Sequence, residues 1–309
     1  MARKPRIQYP GALYHILSRG NYRKDLFTVA STGEQFEKAI FEACEFCGWK
    51  LHAYVIMSNH YHLALETPKG NLVEGMRWLQ GTFGNRFNKF TGERGHVFQG
   101  RYKALLVEPG RSLLGLVNYI HLNPVRAKLV DLAQLKDFSL SSYPKYFKRK
   151  VAPPLVRKDF LSECAFPDSL AGIRRYAEQL ELQEEADPRK KAALAKKYVK
   201  GWAIAGEGYR KNLHQDFKKM DAAKDWGGRE LQELNEMSYE ELVTRWLRKH
   251  RKTQKHIDQD KKSVDWKIAL ARELRKQTSA TNPWIADRLN MGDPSNVSRN
   301  VNTTPNIKG

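Results

Sequence analysis

The chain has 309 residues, of which 54 are Lys or Arg and 34 are Asp or Glu, for a formal net charge of +20 at pH 7. Hydrophobic residues make up 41%, which excludes wholesale disorder and suits about two domains with real cores. Both halves are basic, so the charge is not one basic tail on a neutral enzyme, and a surface of this kind most often meets nucleic acid. No apolar run approaches the roughly 20 residues that a membrane-spanning helix needs. The N-terminal MARKPRIQYPG lacks the apolar stretch of a signal peptide, and three cysteines make no disulfide framework. The expectation is a cytoplasmic protein with no membrane partner.

ALYHILSRG (12–20) alternates and ends on Gly, which predicts a first strand. TGEQFEKAIFEACEFCG (32–48) opens with a capping-box spacing, Thr32 then Gln35, carries apolar Phe36, Ile40 and Phe41, and closes on Gly48, which predicts a helix. Inside it Cys44 and Cys47 form a C-x-x-C. A zinc ribbon needs a second such pair and Cys44 shares helical spacing with Phe36 and Ile40, so a buried structural role is expected. WKLHAYVIM (49–57) and HYHLALET (60–67) read as a hairpin turning at Ser58-Asn59. NLVEGMRWLQGTFGNRFNKFTG (71–92) is a long amphipathic helix despite Gly75, Gly81 and Gly84. YKALLVE (102–108) is a fourth strand and RSLLGLVNYIHLN (111–123) a helix after it, with Asn123 capping a new helix opened by Pro124 and a kink there. The order β-α-β-β-α-β-α predicts an α+β fold, a ferredoxin-like antiparallel sheet with helices on one face.

Strand signals stop near residue 150, where VAPPLVRKDF marks a boundary. The expected organisation is a first domain over 1–150, a charged helical linker region over 151–225 containing ADPRKKAALAKKYVKGW, and an all-α region over 226–309. In the last, SVDWKIALARELRKQT (263–278) is amphipathic, and NPWIADRLN (282–290) starts with Asn282 as cap and Pro283 at the first helical position. A Gly turn capped by Asp293 then leads into SNVSRNV. Two short helices joined this way predict a helix-turn-helix within about 264–302, its exposed face offering Ser295, Asn296, Ser298 and Arg299 to duplex DNA. The competing reading is a small helical bundle packed on the first domain.

In SNHYHLAL (58–65), His60 and His62 are two apart on a strand and therefore share a face, with Cβ atoms about 7 Å apart and both imidazoles within reach of one metal ion. The alternative is a pair of strand histidines with ordinary hydrogen bonds. Tyr119 lies on the helix after strand four with Asn123 one turn on. A phenol is a poor nucleophile unless a cation lowers the cost of ionising it. If Tyr119 faces the histidines, a divalent metal there would polarise a scissile phosphate and Tyr119 would take one strand end as a phosphotyrosine. Asn123 could complete the coordination. A site finished by oxygen ligands suits Mg²⁺ or Mn²⁺, while a two-histidine core also admits zinc-like metals. Around this, Arg86, Lys89 and Arg94, then Gln99, Arg101 and Lys103, form a basic, aromatic-interleaved band suited to single-stranded nucleic acid. Arg19 and Arg126 are further candidates for DNA contact. The paired aromatics of an RNA-binding sheet are not evident.

Four motifs in this order, YHILSRGN, MSNHYHLALE, GHVFQGRYKALLVE and YIHLNPVRAKLV, resemble the REP-associated tyrosine transposases, HUH-type single-strand nucleases related to small insertion-sequence transposases. The resemblance covers roughly residues 5 to 135. It implies an HUH nuclease core in which His60 and His62 are the metal pair, Asn123 the third ligand and Tyr119 the nucleophile. It also implies cleavage and rejoining of single-stranded DNA near hairpins of palindromic repeats with Mg²⁺ or Mn²⁺, by a monomer or a homodimer. The middle of the histidine motif is Tyr61 in place of an aliphatic residue, expected to point away from the metal. The long C-terminal extension is absent from the shortest relatives. The rival expectation is a catalytically inactive DNA-binding protein that regulates transcription through the helix-turn-helix.

Overall fold

The computed structural model describes residues 6–29, 31–184, 198–199, 201–219 and 232–302. They fall into two compact units, one within Ile7–Arg210 and a second formed by the described residues of 211–302 together with Arg6.

In the first unit the chain runs β1 (Ala12–Arg19), α1 (Thr32–Cys47), β2 (Lys50–Ile56), β3 (His60–Thr67), α2 (Leu72–Thr91), β4 (Lys103–Val107) and α3 (Arg111–His121). This is the expected element order. The sheet order is β2-β3-β1-β4, all antiparallel, as a ferredoxin-like fold requires. Alternation along β3 sends Tyr61, Leu63 and Leu65 to one face and His60, His62 and Ala64 to the other. On the first face Tyr61 is fully buried. Its ring lies 4.6 Å from Phe36 of α1, and Phe36 lies 4.8 Å from Phe83 of α2. The two helices of the βαββαβ core thus share one face, and α3 covers the other. Cys44 and Cys47 are buried free thiols inside α1, the role their spacing suggested. Thr32 is the first residue of α1 and turns its hydroxyl back onto the Leu26 and Val29 carbonyls, so the expected capping box gives way to a cap at Ser31.

The first unit continues past the expected boundary at 150. After α3 come α4 (Asn123–Arg126), α5 (Ser142–Lys145), α6 (Lys158–Ser162) and α7 (Leu170–Glu184), then β5 (Ala203–Ile204). β5 adds to the sheet parallel to β4, pairing Leu106 with Ala203 and Val107 with Ile204. α7 is tied to α3 through a buried chain. His121 Nδ1 lies 2.9 Å from the Tyr176 hydroxyl, which donates to Asn118 Oδ1 at 2.9 Å, and His121 Nε2 lies 3.0 Å from Ser142 Oγ. Residues 151–210 are therefore part of this unit where they are described, not a linker. Buried aromatics such as Tyr176 and Trp202 outweigh the charge-rich composition there. Residues 186–197 of the charged stretch lie outside the described residues.

After α8 (Glu207–Lys219), the second unit contains α9 (Gln232–Lys249), α10 (Gln254–Gln259), α11 (Asp265–Gln277), α12 (Asn282–Arg288) and α13 (Pro294–Asn302). Leu242, Val243, Leu270, Leu274, Ile285 and Val297 are among its core. Lys267 is fully buried inside it, donating to the Ile257 and Asp260 carbonyls at 2.8 and 2.9 Å. The cap of α12 is Thr281, whose hydroxyl accepts from the Trp284 amide, so Asn282 sits inside the helix and not before it. Asp293 accepts from the Ser295 amide at 2.8 Å, as expected of the cap of α13. Among the described residues no helix is long and apolar enough to cross a membrane.

Gly75 of α2 is a close-approach position: a Cβ there would stand 2.1 Å from Trp49 Cζ2 and 2.6 Å from Cys47 Sγ. Gly75→Ala is therefore expected to destabilise the protein by about 1–3 kcal/mol through overpacking. The check is urea unfolding, with a lower midpoint at unchanged slope.

Candidate functional site

The site is built on the pairing of β1 with β3. In that register Leu17 faces His62 and Arg19 faces His60, while His15 sits opposite Ala64. His15, Arg19, His60 and His62 therefore emerge on one side, the side α3 covers. The His60 and His62 ring centroids are 5.2 Å apart. Tyr119 of α3 stands with its ring edge-on to both His62, at 5.6 Å, and His15, at 5.9 Å. His60, His62, Tyr119 and Asn123 line one cavity of about 380 Å³, together with Arg19, Gln99 and Val199.

α3 ends at His121 and Leu122 caps the short α4, so Asn123 is not the cap the sequence suggested. Its side chain turns back and donates from Nδ2 to the Tyr119 carbonyl at 2.9 Å. That leaves Oδ1 as an acceptor at the cavity. Arg126, one turn further, places its guanidinium 5.9 Å from the Tyr119 ring centre. It is held there by Glu184 at 3.1 Å, and its buried Nη1 has no hydrogen-bond partner among the described residues. Tyr198 stacks on Tyr119 at 5.0 Å. Gly115 makes room for it, since a Cβ there would meet the Tyr198 hydroxyl at 2.2 Å.

Burial sets the electrostatics. It holds the His60 imidazole down at about 4, with Arg19 adding to the effect. It pushes His62 well below the ordinary range, with His15, His60 and Arg19 reinforcing it. At neutral pH both rings are uncharged and able to donate a lone pair. Burial also raises the Tyr119 phenol above its ordinary value, against the Asn123 amide and the Arg126 charge, which pull it down. A neutral two-imidazole set with a neighbouring amide oxygen fits a divalent cation.

The structure brings together most of the residues singled out near the histidine pair. Arg19 and Gln99 line the cavity, the Gln99 backbone amide donating to the Arg19 carbonyl at 2.8 Å. Lys103 is spent on the Val199 carbonyl. Arg86 is engaged elsewhere: it is on α2, behind the sheet, paired with Glu42 at 2.8 Å. Lys89 also lies on α2, while Arg94 and Arg101 are exposed in the connection to β4. The basic band is thus split between the two faces. In the second unit Ser295 and Arg299 are exposed and Asn296 and Ser298 half-buried along α13. Gly292 at φ +81° makes the turn from α12. Sequence reasoning missed His15 and Tyr198. His15 was accessible through alternation, being diagonal to His62 across the strand pair; Tyr198 carried no signal, because it sits in a lysine-rich stretch.

A second group is drawn from β2, the far end of β3 and α6. His52 is fully buried, neither ring nitrogen has a hydrogen-bond partner among the described residues, and it lies 3.7 Å from Glu66 and 3.5 Å from Asp159. It shares no residue with the Tyr119 cavity.

Residues 8–123 match the family model described as "Transposase IS200 like". Among solved structures, a REP-associated tyrosine transposase bound to a REP hairpin is 20% identical with a TM-score of 0.41, over 50% of this chain and 90% of that one. A putative transposase from Deinococcus radiodurans R1 is 18% identical with a TM-score of 0.29, over 41% of this chain and 92% of that one. No curated protein matches.

Burial lowers His15 and His60 to about 4 and His121 to about 3, against 6.5 for a free imidazole. The unfolded chain takes up these protons first. The stability they contribute is complete above about pH 6.5 and is lost as pH falls from there toward about 4 for His15 and His60 and about 3 for His121. A pH series of urea midpoints is expected to be flat above neutrality and to drop across that window. Imidazole NMR resonances titrating near 6.5 for these residues would contradict it.

Proposed function

We propose, from the match of residues 8–123 to the IS200-like transposase family model, that this chain is a metal-dependent single-stranded DNA endonuclease and transposase with Tyr119 as its nucleophile. The observation that carries this is the placement of the Tyr119 ring against His62 in a cavity that His60 and Asn123 also line. His60 and His62, with Asn123 Oδ1, would hold the cation, Mg²⁺ or Mn²⁺. When bound, it supplies positive charge that polarises the scissile phosphate.

The chain's own groups do the rest. Tyr119 loses its phenolic proton and its oxygen bonds to phosphorus, while one P–O ester bond breaks and that strand end leaves as a hydroxyl. One phosphodiester replaces another, so rejoining needs no ATP. Arg126 stabilises the developing phenolate, and its buried Nη1 suits a phosphate oxygen. Arg19 and Gln99 at the cavity rim hold the flanking strand. Tyr198 keeps water off the phenol.

The resemblance of the four motifs supports palindromic hairpin repeats as substrate, bound by a monomer or a homodimer. The second unit would be an appended duplex-DNA-binding region, with α12 and α13 as its helix-turn-helix and Ser295, Asn296, Ser298 and Arg299 on the contacting face. One observation favours the rival reading, a DNA-binding regulator with an idle core: Tyr119 is only 8% exposed and its phenol is harder to ionise than a free one.

Labelled single-stranded hairpins from the genomic flanks separate the two. With Mg²⁺ or Mn²⁺ the wild type is expected to cut them, and EDTA to stop it. Tyr119→Phe and His60→Ala are each expected to lose about 10³-fold or more in rate. Hairpin binding without cutting, unchanged in both variants, would establish the regulator. Independently, Arg299→Ala is expected to weaken duplex binding across sequences and to lower the salt slope by about one. Duplex affinity that ignores this change would remove α13 from the interface.

A further inference from the structure

His15 is fully buried on β1 and belongs to none of the roles above, yet both of its ring nitrogens are engaged. Nδ1 lies 2.8 Å from the Tyr198 carbonyl oxygen and Nε2 lies 2.9 Å from Nδ1 of His62. A carbonyl only accepts, so His15 carries its proton on Nδ1. A neutral imidazole has one such proton, which leaves the His15 Nε2 as a lone pair. His62 must then donate from Nδ1, and its own lone pair is on Nε2.

The same logic fixes His60 by a separate route. Its Nδ1 lies 2.8 Å from Oδ1 of Asn59, and the orientation of that amide is set by Asn59 Nδ2 donating to the Arg23 carbonyl at 3.2 Å. His60 therefore also donates from Nδ1 and keeps Nε2 unprotonated. Two unrelated backbone carbonyls, one at Arg23 and one at Tyr198, thus decide the tautomers of two histidines that line one cavity. Without them each neutral ring would exchange between tautomers, only one of which offers Nε2.

We propose that His15 is a positioning residue, relaying the Tyr198 carbonyl to His62 so that His62 presents an unprotonated Nε2 to a divalent cation. It acts through His62 and touches neither cation nor substrate. The proposal rests on the reading of His60 and His62 as metal ligands. It goes beyond that reading by assigning a part to a strand residue and to a carbonyl 183 residues away in sequence. A purely structural His15 would fill space between β1 and α3, and any side chain of like volume would serve. A relay needs an acceptor at the Nε2 position.

The test uses the full-length, metal-free protein. Mn²⁺ affinity is measured by calorimetry without DNA, and the His62 tautomer by long-range ¹H–¹⁵N NMR correlation, for the wild type, His15→Leu, His15→Gln and His15→Asn. Gln can place an oxygen near the lost Nε2, whereas the shorter Asn cannot. The relay predicts a single Nδ1–H tautomer at His62 in the wild type. It predicts Mn²⁺ affinity about 10- to 100-fold weaker in His15→Leu and His15→Asn, with mixed tautomers, and recovery in His15→Gln. Affinity and tautomer unchanged in His15→Leu would overturn it. Should His15→Leu fail to fold, equal affinity and tautomer in the Gln and Asn variants would do the same. A wild type that binds no Mn²⁺ would instead remove the metal reading itself, and the His62 tautomer would then decide the hydrogen-bond relay alone.

Discussion

The antiparallel register of β1 on β3 is the constraint on which the rest of the site depends. Pairing Leu17 with His62 puts His15, His60 and His62 on the side of the sheet that α3 covers, and sends Tyr61 into the aromatic cluster under α1 and α2. Because strand side chains alternate, a slip of β3 by one residue would exchange His60 and His62 with Tyr61. The imidazoles would enter an apolar core, and Tyr61 would face Tyr119. The cluster of Phe27, Phe36, Phe83 and Phe98 around Tyr61 makes that exchange costly. Packing on one face of the sheet thus holds the polar constellation on the other.

Burial has opposite consequences for the two kinds of group in the cavity. For the histidines it favours the neutral ring, the state in which a lone pair is available to a cation. For Tyr119 it disfavours the phenolate, the state in which the oxygen attacks. Positive charge near the phenol offsets this, and Arg126 supplies some of it from within the chain, kept in place by Glu184 at the end of α7. The segment after residue 150 is therefore not an appendage of the core. Through Glu184, Tyr176 and Tyr198 it determines how α3 and its tyrosine are held.

Much of the first 123 residues was legible in the sequence, because strong periodicities there agree with the tertiary fold. Strand alternation identified the shared face of His60 and His62, and helical spacing placed Asn123 one turn beyond Tyr119. Caps were off by one residue at Thr32, Asn123 and Asn282, where polar residues flank the helix start and several can turn a side chain onto a free amide. Arg86 was read as part of a continuous basic band, but α2 carries it to the far face, a matter of which side of the sheet a helix takes. β5 and α7 were hidden by composition: two strand residues carry no period, and a charged stretch conceals the few aromatics that bury. His15 needed the strand pairing, and Tyr198 needed the whole fold.

The most direct measurement is mass-spectrometric mapping of the tyrosine that becomes linked to DNA. Full-length protein is incubated with a hairpin substrate and Mn²⁺, digested with nuclease and protease, and searched for a peptide carrying a nucleotide phosphate. The account predicts the adduct on Tyr119 and nowhere else. An adduct on Tyr198, whose ring stacks against Tyr119 at 5.0 Å, would contradict the assignment of the nucleophile, and DNA cut with no tyrosine adduct would contradict the covalent mechanism.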